Sequence, residues 1–212
     1  SGTFGRTDFN NDELVLLNPV LTYDFGWGEI LSSPSKVEMQ NDADFNTQGF
    51  LSGFLGNLHG PWEQDQKVGS FSEELRLTSA FEGSFQFIAG FYYEEGDSEN
   101  INNIWWRGDP TANPVSNPWN PLIFSSSLIQ GTTQKAFFGE LTYDFTEKWQ
   151  ATLGGRFFKY DLESVRVTHN ALFSQPPFTT SSNDDNSGQT VKANLSYRPS
   201  GDTLVYTQWA QG

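Results

Sequence analysis

Three observations predict an all-β fold for this chain, an antiparallel meander of transmembrane β-hairpins belonging to an outer-membrane β-barrel. Apolar residues recur at every second position. The alternating runs are paired through short turns, and the segments between pairs are long, polar and confined to the other end of the hairpins. Aromatic residues make up 16% of a chain in which only 36% of residues are hydrophobic.

Composition bounds the reading before any element is assigned. At 212 residues the chain can hold one large β domain or two small ones. Mean hydropathy is -0.52 and no run approaches 18 apolar residues, which excludes a transmembrane helix. A transmembrane strand shows lipid only at alternate residues, so its hydropathy averages out. With 19 Phe and 7 Trp against one Met, the rings suit a lipid-facing belt with interfacial girdles, and equally the core and sugar platforms of a soluble sandwich. A net charge of -14 excludes nucleic acid as a partner, because phosphate binding needs clustered Lys and Arg. The absence of Cys excludes a disulfide framework and thiolate-held metal. Ser1-Gly2-Thr3 opens no signal peptide, a segment that an exported protein would have lost in any case.

The first pair is 15–25 with 29–41, joined at Gly26-Trp27-Gly28. Leu17, Pro19, Leu21, Tyr23 and Phe25 alternate with Asn18, Val20, Thr22 and Asp24, and Pro34 interrupts the return strand because it cannot donate to a ladder. The second pair is 70–80 with 84–96 around Glu82-Gly83; Phe71, Leu75 and Leu77 oppose Ser72, Glu74, Arg76 and Thr78, and Phe85, Phe87, Ala89, Phe91 and Tyr93 share a face. The third is 134–145 with 149–163 across Thr146-Glu147-Lys148, and the fourth is 188–198 with 203–211 across Pro199-Ser200-Gly201-Asp202. The intervening segments 43–69, 98–133 and 164–186 are rich in Asn, Asp, Ser, Gly and Pro and read as external loops. A soluble sandwich has no reason to segregate its loop lengths, whereas an outer-membrane barrel has short periplasmic turns and long outer loops.

Energetics assigns the faces. A Lys or Arg on the lipid side at the bilayer midplane costs about 2–4 kcal/mol, so Arg76, Glu140, Arg156 and Lys192 are expected to face the lumen and Phe87, Leu141, Leu153 and Leu195 the lipid. Tyr23, Phe25, Phe81, Tyr143, Phe145, Trp149 and Tyr197 gather beside the short turns, where an interfacial girdle belongs. The runs exceed the span a membrane needs, so the wall is expected to project beyond the bilayer.

These blocks carry a family resemblance. FSEELRLTS at 71–79 with FIAGFYYEE at 87–95, QKAFFGELTYDFTEKWQATLGGRFFKYD at 134–161 and VKANLSYRPSGDTLVYTQWAQG at 191–212 resemble, in order and spacing, the mid-barrel of TonB-dependent outer-membrane receptors. The resemblance covers roughly residues 15–212. It implies a 22-stranded barrel plugged by an N-terminal domain, located in the bacterial outer membrane. It also implies a non-enzymatic transporter without cofactor, importing ferric siderophores, cobalamin or oligosaccharides with energy relayed by TonB. Partners on that reading are membrane lipid and lipopolysaccharide, a small-molecule or oligosaccharide ligand, and the TonB complex reached through a plug. The chain departs from the whole: eight strands are legible, with neither plug nor TonB box, and Gly212 stands where such barrels end on an aromatic residue. The sequence therefore reads as a mid-barrel piece.

No catalytic constellation emerges. His59 and His169 are isolated, and Asp184-Asp185 in SSNDDNSG lacks the ligand spacing of a calcium loop. Gly154-Gly155 lies within a strand, where glycine admits close approach of another group. The candidate ligand-binding residues are Trp105, Trp106 and Arg107 with Trp119, whose indoles could stack on a ligand while Arg pairs with a carboxylate. The same rings could instead pack the 98–133 segment onto the barrel rim. A soluble all-β carbohydrate-binding or glycosidase-like domain is the alternative, distinguished by whether the protein requires detergent.

Overall fold

The computed structural model describes residues 8–46, 61–106, 122–171 and 175–211. They form one antiparallel sheet of ten strands: β1 (Phe9–Leu17), β2 (Leu21–Asp24), β3 (Gly28–Ser32), β4 (Ser35–Asn46), β5 (Pro61–Ser79), β6 (Phe85–Trp105), β7 (Leu122–Asp144), β8 (Trp149–Asn170), β9 (Phe178–Ser200) and β10 (Thr203–Ala210). From β4 onward each strand pairs with its sequence neighbour, β1 lies outside β4, and β3, which also pairs with β2, continues the β4 position along β5. Among the described residues β1 and β10 are unpaired edges, so the sheet is open.

The first hairpin differs from its expected form. Instead of a continuous strand over 15–25, β1 begins at Phe9 and stops before Asn18-Pro19-Val20, and the return strand breaks at Ser33-Pro34. Both interruptions contain a proline, which offers no N–H to the ladder. They lie side by side and are stitched together by the Asn18 amide, which donates to the Pro34 carbonyl at 3.1 Å and to the Ser33 hydroxyl at 3.3 Å. Register resumes beyond them, with Leu21 opposite Ser32.

Where the structure describes them, the expected external loops are also mostly strand. β5 starts at Pro61, β6 runs to Trp105, β7 starts at Leu122, β8 runs to Asn170 and β9 starts at Phe178. These extensions are polar on both faces, so they show no hydrophobic alternation. The ladder nevertheless continues, because each new backbone hydrogen bond adds to a strand already aligned. Pro61 opens β5 and Pro177 stands just before β9, where a missing donor costs least. At about 3.4 Å per residue, the 23 residues of β7 make a ribbon more than twice the length a bilayer requires.

The short turns are held by side chains. Gly26, at φ 86°, takes a left-handed conformation that L side chains resist, and its N–H donates to Asp24 Oδ1 at 2.6 Å. Ser79 Oγ donates to Gln86 Oε1 at 2.8 Å and accepts from Phe87 N at 2.7 Å, closing the β5–β6 turn. Thr146 Oγ1 accepts from the N–H groups of Lys148 and Trp149, both at 3.1 Å.

The sheet is a single layer. Its accessible surface is 14158 Å², against about 9,900 Å² for a compact domain of this mass, and large apolar side chains such as Leu141, Phe137 and Leu153 stand exposed along one face.

Candidate ligand-facing wall

Strand pairing fixes which residues share a face, since directly opposed residues point to the same side. One row runs Arg76, Gly90, Phe138, Arg156 and Thr190; the next, toward the short turns, runs Thr78, Ile88, Glu140, Gly154 and Lys192. The four charged residues expected to face the lumen thus share one face, the polar face below. The opposite face presents Leu75, Phe91, Phe137 and Phe157 in one row and Phe87, Leu141, Leu153 and Ala193 in another.

At the short-turn margin of this apolar face the rings form a belt. Tyr23, Phe25, Trp27 and Phe81 make successive contacts with centroids 5.0, 5.6 and 6.0 Å apart, and Trp149 stacks on Tyr197 at 4.4 Å. At the other margin Lys135 and Lys159 sit directly opposite each other. Lys135 Nζ lies 5.8 Å from the Tyr93 ring, and Lys159 Nζ pairs with Asp161 at 2.8 Å.

On the polar face glycines let long side chains lie flat. The Lys192 ammonium reaches across β8 to the Glu140 carboxylate. It can do so because Gly154, between them in the row, has no side chain; a Cβ there would fall 2.7 Å from Lys192 Cε. The Phe138 ring covers Gly90 and the Phe158 ring covers Gly188 in the same way. The Arg156 guanidinium rests over the Tyr92 ring at 5.6 Å, and Arg76 lies 3.9 Å from Glu74. A shallow depression of about 420 Å³ is left between Arg76, Arg156 and Lys192.

Farther from the short turns the polar face changes character. From the row of Ser72, Glu94, Gln134 and Tyr160 outward, the described residues of β4 to β8 carry only Glu94 and Arg166 as charges on this side, and the rest is amide, hydroxyl or apolar. At the end stand Phe45 and Trp62, opposed across β4 and β5 with ring centroids 6.0 Å apart. The Trp62 indole N–H donates to Asn102 Oδ1 at 3.0 Å.

The tryptophans singled out in the sequence are separated by the structure. Trp105 donates from its indole nitrogen to Glu63 Oε2 at 2.6 Å, and Glu63 belongs to the apolar-side register of β5. Trp106 is 9% exposed and packs with Ile104, Ile123 and Ala171. Arg107 and Trp119 lie outside the described residues, as does His59. Asp184 and Asp185 are successive strand residues on opposite faces, and no cluster of three metal-ligating side chains occurs among the described residues. Trp62 and Asn102 were not anticipated, because they lay in segments read as loops.

The chain matches the family model described as TonB dependent receptor-like, beta-barrel, over residues 1–212. Solved structures with similar folds include the ferric yersiniabactin uptake receptor FyuA from Yersinia pestis, with 13% identity and TM-score 0.70 over 95% of this chain and 27% of that one. The ferric-catecholate import receptor Fiu from E. coli K12 in its open form has 17% identity and TM-score 0.65, over 96% of this chain and 36% of that one. The siderophore receptor PiuA from Acinetobacter baumannii has 18% identity and TM-score 0.62, over 96% and 32%. No curated protein matches in sequence. The chain spans about a third of the solved receptors it matches. An antiparallel meander with one apolar and one polar face has the make-up of a barrel wall, and with the match along its whole length the chain belongs to the TonB-dependent receptor β-barrel family of the bacterial outer membrane, a family of transport receptors rather than enzymes.

Proposed function

We propose that this wall is part of an outer-membrane importer whose polar face lines the lumen, and which takes up a scarce ligand of the ferric siderophore, cobalamin or oligosaccharide class with energy relayed by TonB through a plug. The observation that carries the reading is the division of the sheet into two faces. Over the stretch next to the short turns, charges are confined to the face of Arg76, Glu140, Arg156 and Lys192, and the other face is uncharged and mainly apolar or aromatic, with Ser32, Gln189 and Thr207 among its few polar members. Among the described residues no second layer covers the apolar face, and Phe137, Leu141 and Leu153 stand exposed on it, which suits a face that meets hydrocarbon while the other meets water.

The lipid side also has a legible margin. From the Trp149 row to the Lys135–Lys159 pair is the span of a membrane strand. Two opposed cations beside Tyr93 at the outer margin suit the phosphates of lipopolysaccharide, which offset the repulsion of like charges placed face to face. Trp105, tied to Glu63, and buried Trp106 support a role in anchoring the outer hairpin end more than in stacking on a ligand.

The chain has no cysteine, so single-cysteine spin labels in a cysteine-free full-length receptor test the assignment in liposomes. A label at Leu153→Cys is expected to collide with oxygen, and one at Thr190→Cys with a water-soluble nickel chelate. Equal access to nickel at both sites would refute the barrel orientation. Uptake that persists undiminished in a strain lacking TonB would refute the energised importer.

A further inference from the structure

Resting on the reading that the polar face lines a receptor lumen, we infer that its outer part is a binding wall for a neutral oligosaccharide rather than for an anionic ferric complex. An anionic ligand calls for convergent guanidinium or ammonium groups. On the polar face of β4 to β8 beyond the Glu94 row, the described residues offer Arg166 alone, and its Nη1 already donates to Ser126 Oγ at 3.3 Å. Glu94 is likewise engaged, accepting from the Tyr92 hydroxyl at 2.8 Å. At the β1 edge Asp12 is held by the Asn41 amide.

What the wall presents instead is a ladder of neutral donors and acceptors. Gln64, Gln66, Asn100 and Asn102 occupy two adjoining rows of β5 and β6. Each amide both donates and accepts, which is the requirement set by a sugar hydroxyl. The contrast with the other side of the same strands is sharp: Glu63, Asp65, Asp97, Glu99, Asp161 and Glu163 all lie there. From β5 to β8 the strands are acidic at this height, yet beyond the Glu94 row their acids lie off the polar face, which among the described strand residues receives carboxylates only from the flanking Asp12 of β1 and Asp184 of β9.

Trp62 supplies the second element. It is 39% exposed, opposes Phe45, and has its edge fixed by the bond to Asn102. An indole held by its N–H with an open ring face gives a platform for the C–H face of a pyranose, while neighbouring amides take the hydroxyls. Asn102 also donates to Asn100, so the platform and the ladder form one hydrogen-bonded unit.

The test is calorimetric titration of the full-length receptor in detergent. Neutral oligomers of glucose, xylose and N-acetylglucosamine, three to seven units long, serve as one probe set, and ferric citrate and a ferric catecholate as the other. An oligosaccharide is expected to bind with a Kd that changes less than about twofold between low and high salt, since an uncharged ligand has little to screen. Trp62→Ala should weaken binding about tenfold or more, Trp62→Phe should recover part of that, and Asn102→Ala should weaken it several-fold. Lys67→Gln on the opposite face should leave Kd unchanged. If no oligosaccharide in the panel binds, or if binding survives Trp62→Ala intact, the assignment is overturned. Should a ferric complex bind instead while uptake still depends on TonB and the spin labels keep their pattern, the ligand class fails and the receptor reading stands. Loss of the spin-label pattern fails both.

Discussion

Placing a lysine at Leu153 tests the membrane face most directly. Leu153 is 61% exposed and is flanked in its row by Leu141 and Ala193. Trp149, whose ring stacks on Tyr197 at the belt, marks the near interface four residues earlier along β8. At about 3.4 Å per residue and a strand tilt near 40°, Leu153 sits about 10 Å into an apolar band about 25 Å tall, close to its midplane. The expected cost of Leu153→Lys is therefore toward the upper part of the range of about 2–4 kcal/mol. Thr152→Lys is the matched control, one residue away on the polar face, where its neighbours in the row are Thr142 and Asn194. It gives up the hydroxyl contact with Thr142 at 3.2 Å and should cost no more than about 1 kcal/mol. Reversible denaturant unfolding of the full-length receptor in liposomes measures both. Equal costs at 152 and 153, or a larger cost at 152, would show that β8 does not present its odd-numbered residues to hydrocarbon.

Three further outcomes follow from individual contacts. Ser79→Ala removes a hydroxyl that serves both Gln86 and the Phe87 N–H, and the same unfolding measurement should show a loss of about 1–3 kcal/mol. Gly90→Ala places a Cβ 2.2 Å from Phe138 Cζ and should destabilise by about 1–3 kcal/mol; in the background of Phe138→Ala that penalty should largely vanish, and full additivity of the two changes would contradict the ring-over-glycine packing. The Glu140–Lys192 pair keeps side-chain exposures of 28% and 49%, so a double-mutant cycle with Glu140→Gln and Lys192→Gln should return a coupling below about 1 kcal/mol that shrinks further at high salt.

The half of the wall next to the short turns was readable because two independent signals, strand alternation and turn chemistry, coincide there. Alternation of Phe87, Ala89 and Phe91 against Gln86, Ile88 and Gly90 follows the pleat, and the demand that one face be apolar makes that alternation visible. Turn chemistry at Gly26 and Thr146 then fixed the hairpin ends. The outer half left no such trace. In stretches such as Asp97–Ile104 or Ser125–Thr133 both faces meet water, so nothing in the choice of residues distinguishes a strand from a loop. What sustains the strand is the neighbouring ladder, a cross-strand property that no single segment encodes. The first hairpin shows the converse: Pro34 signals an interruption locally, whereas the alternation runs on through Pro19, and that the chain breaks at both places, side by side and sharing Asn18, emerges only from the pairing.

The same reasoning bears on how an aromatic site should be sought in a barrel sequence. Trp105 and Trp106 draw notice as adjacent indoles, but successive strand residues point to opposite faces, so adjacency is a sign that the two rings do not cooperate. Trp62 is inconspicuous by comparison. Yet it is followed at period two by Gln64 and Gln66, while Glu63 and Asp65 occupy the other parity. An indole, two amides and no charge on one parity, with acids on the other, is the pattern to expect when one side of a polar strand meets a neutral ligand and the other meets solvent. The informative signal in the outer half of such a wall is therefore the difference between parities in charge, because hydrophobicity no longer separates the faces once both are wet.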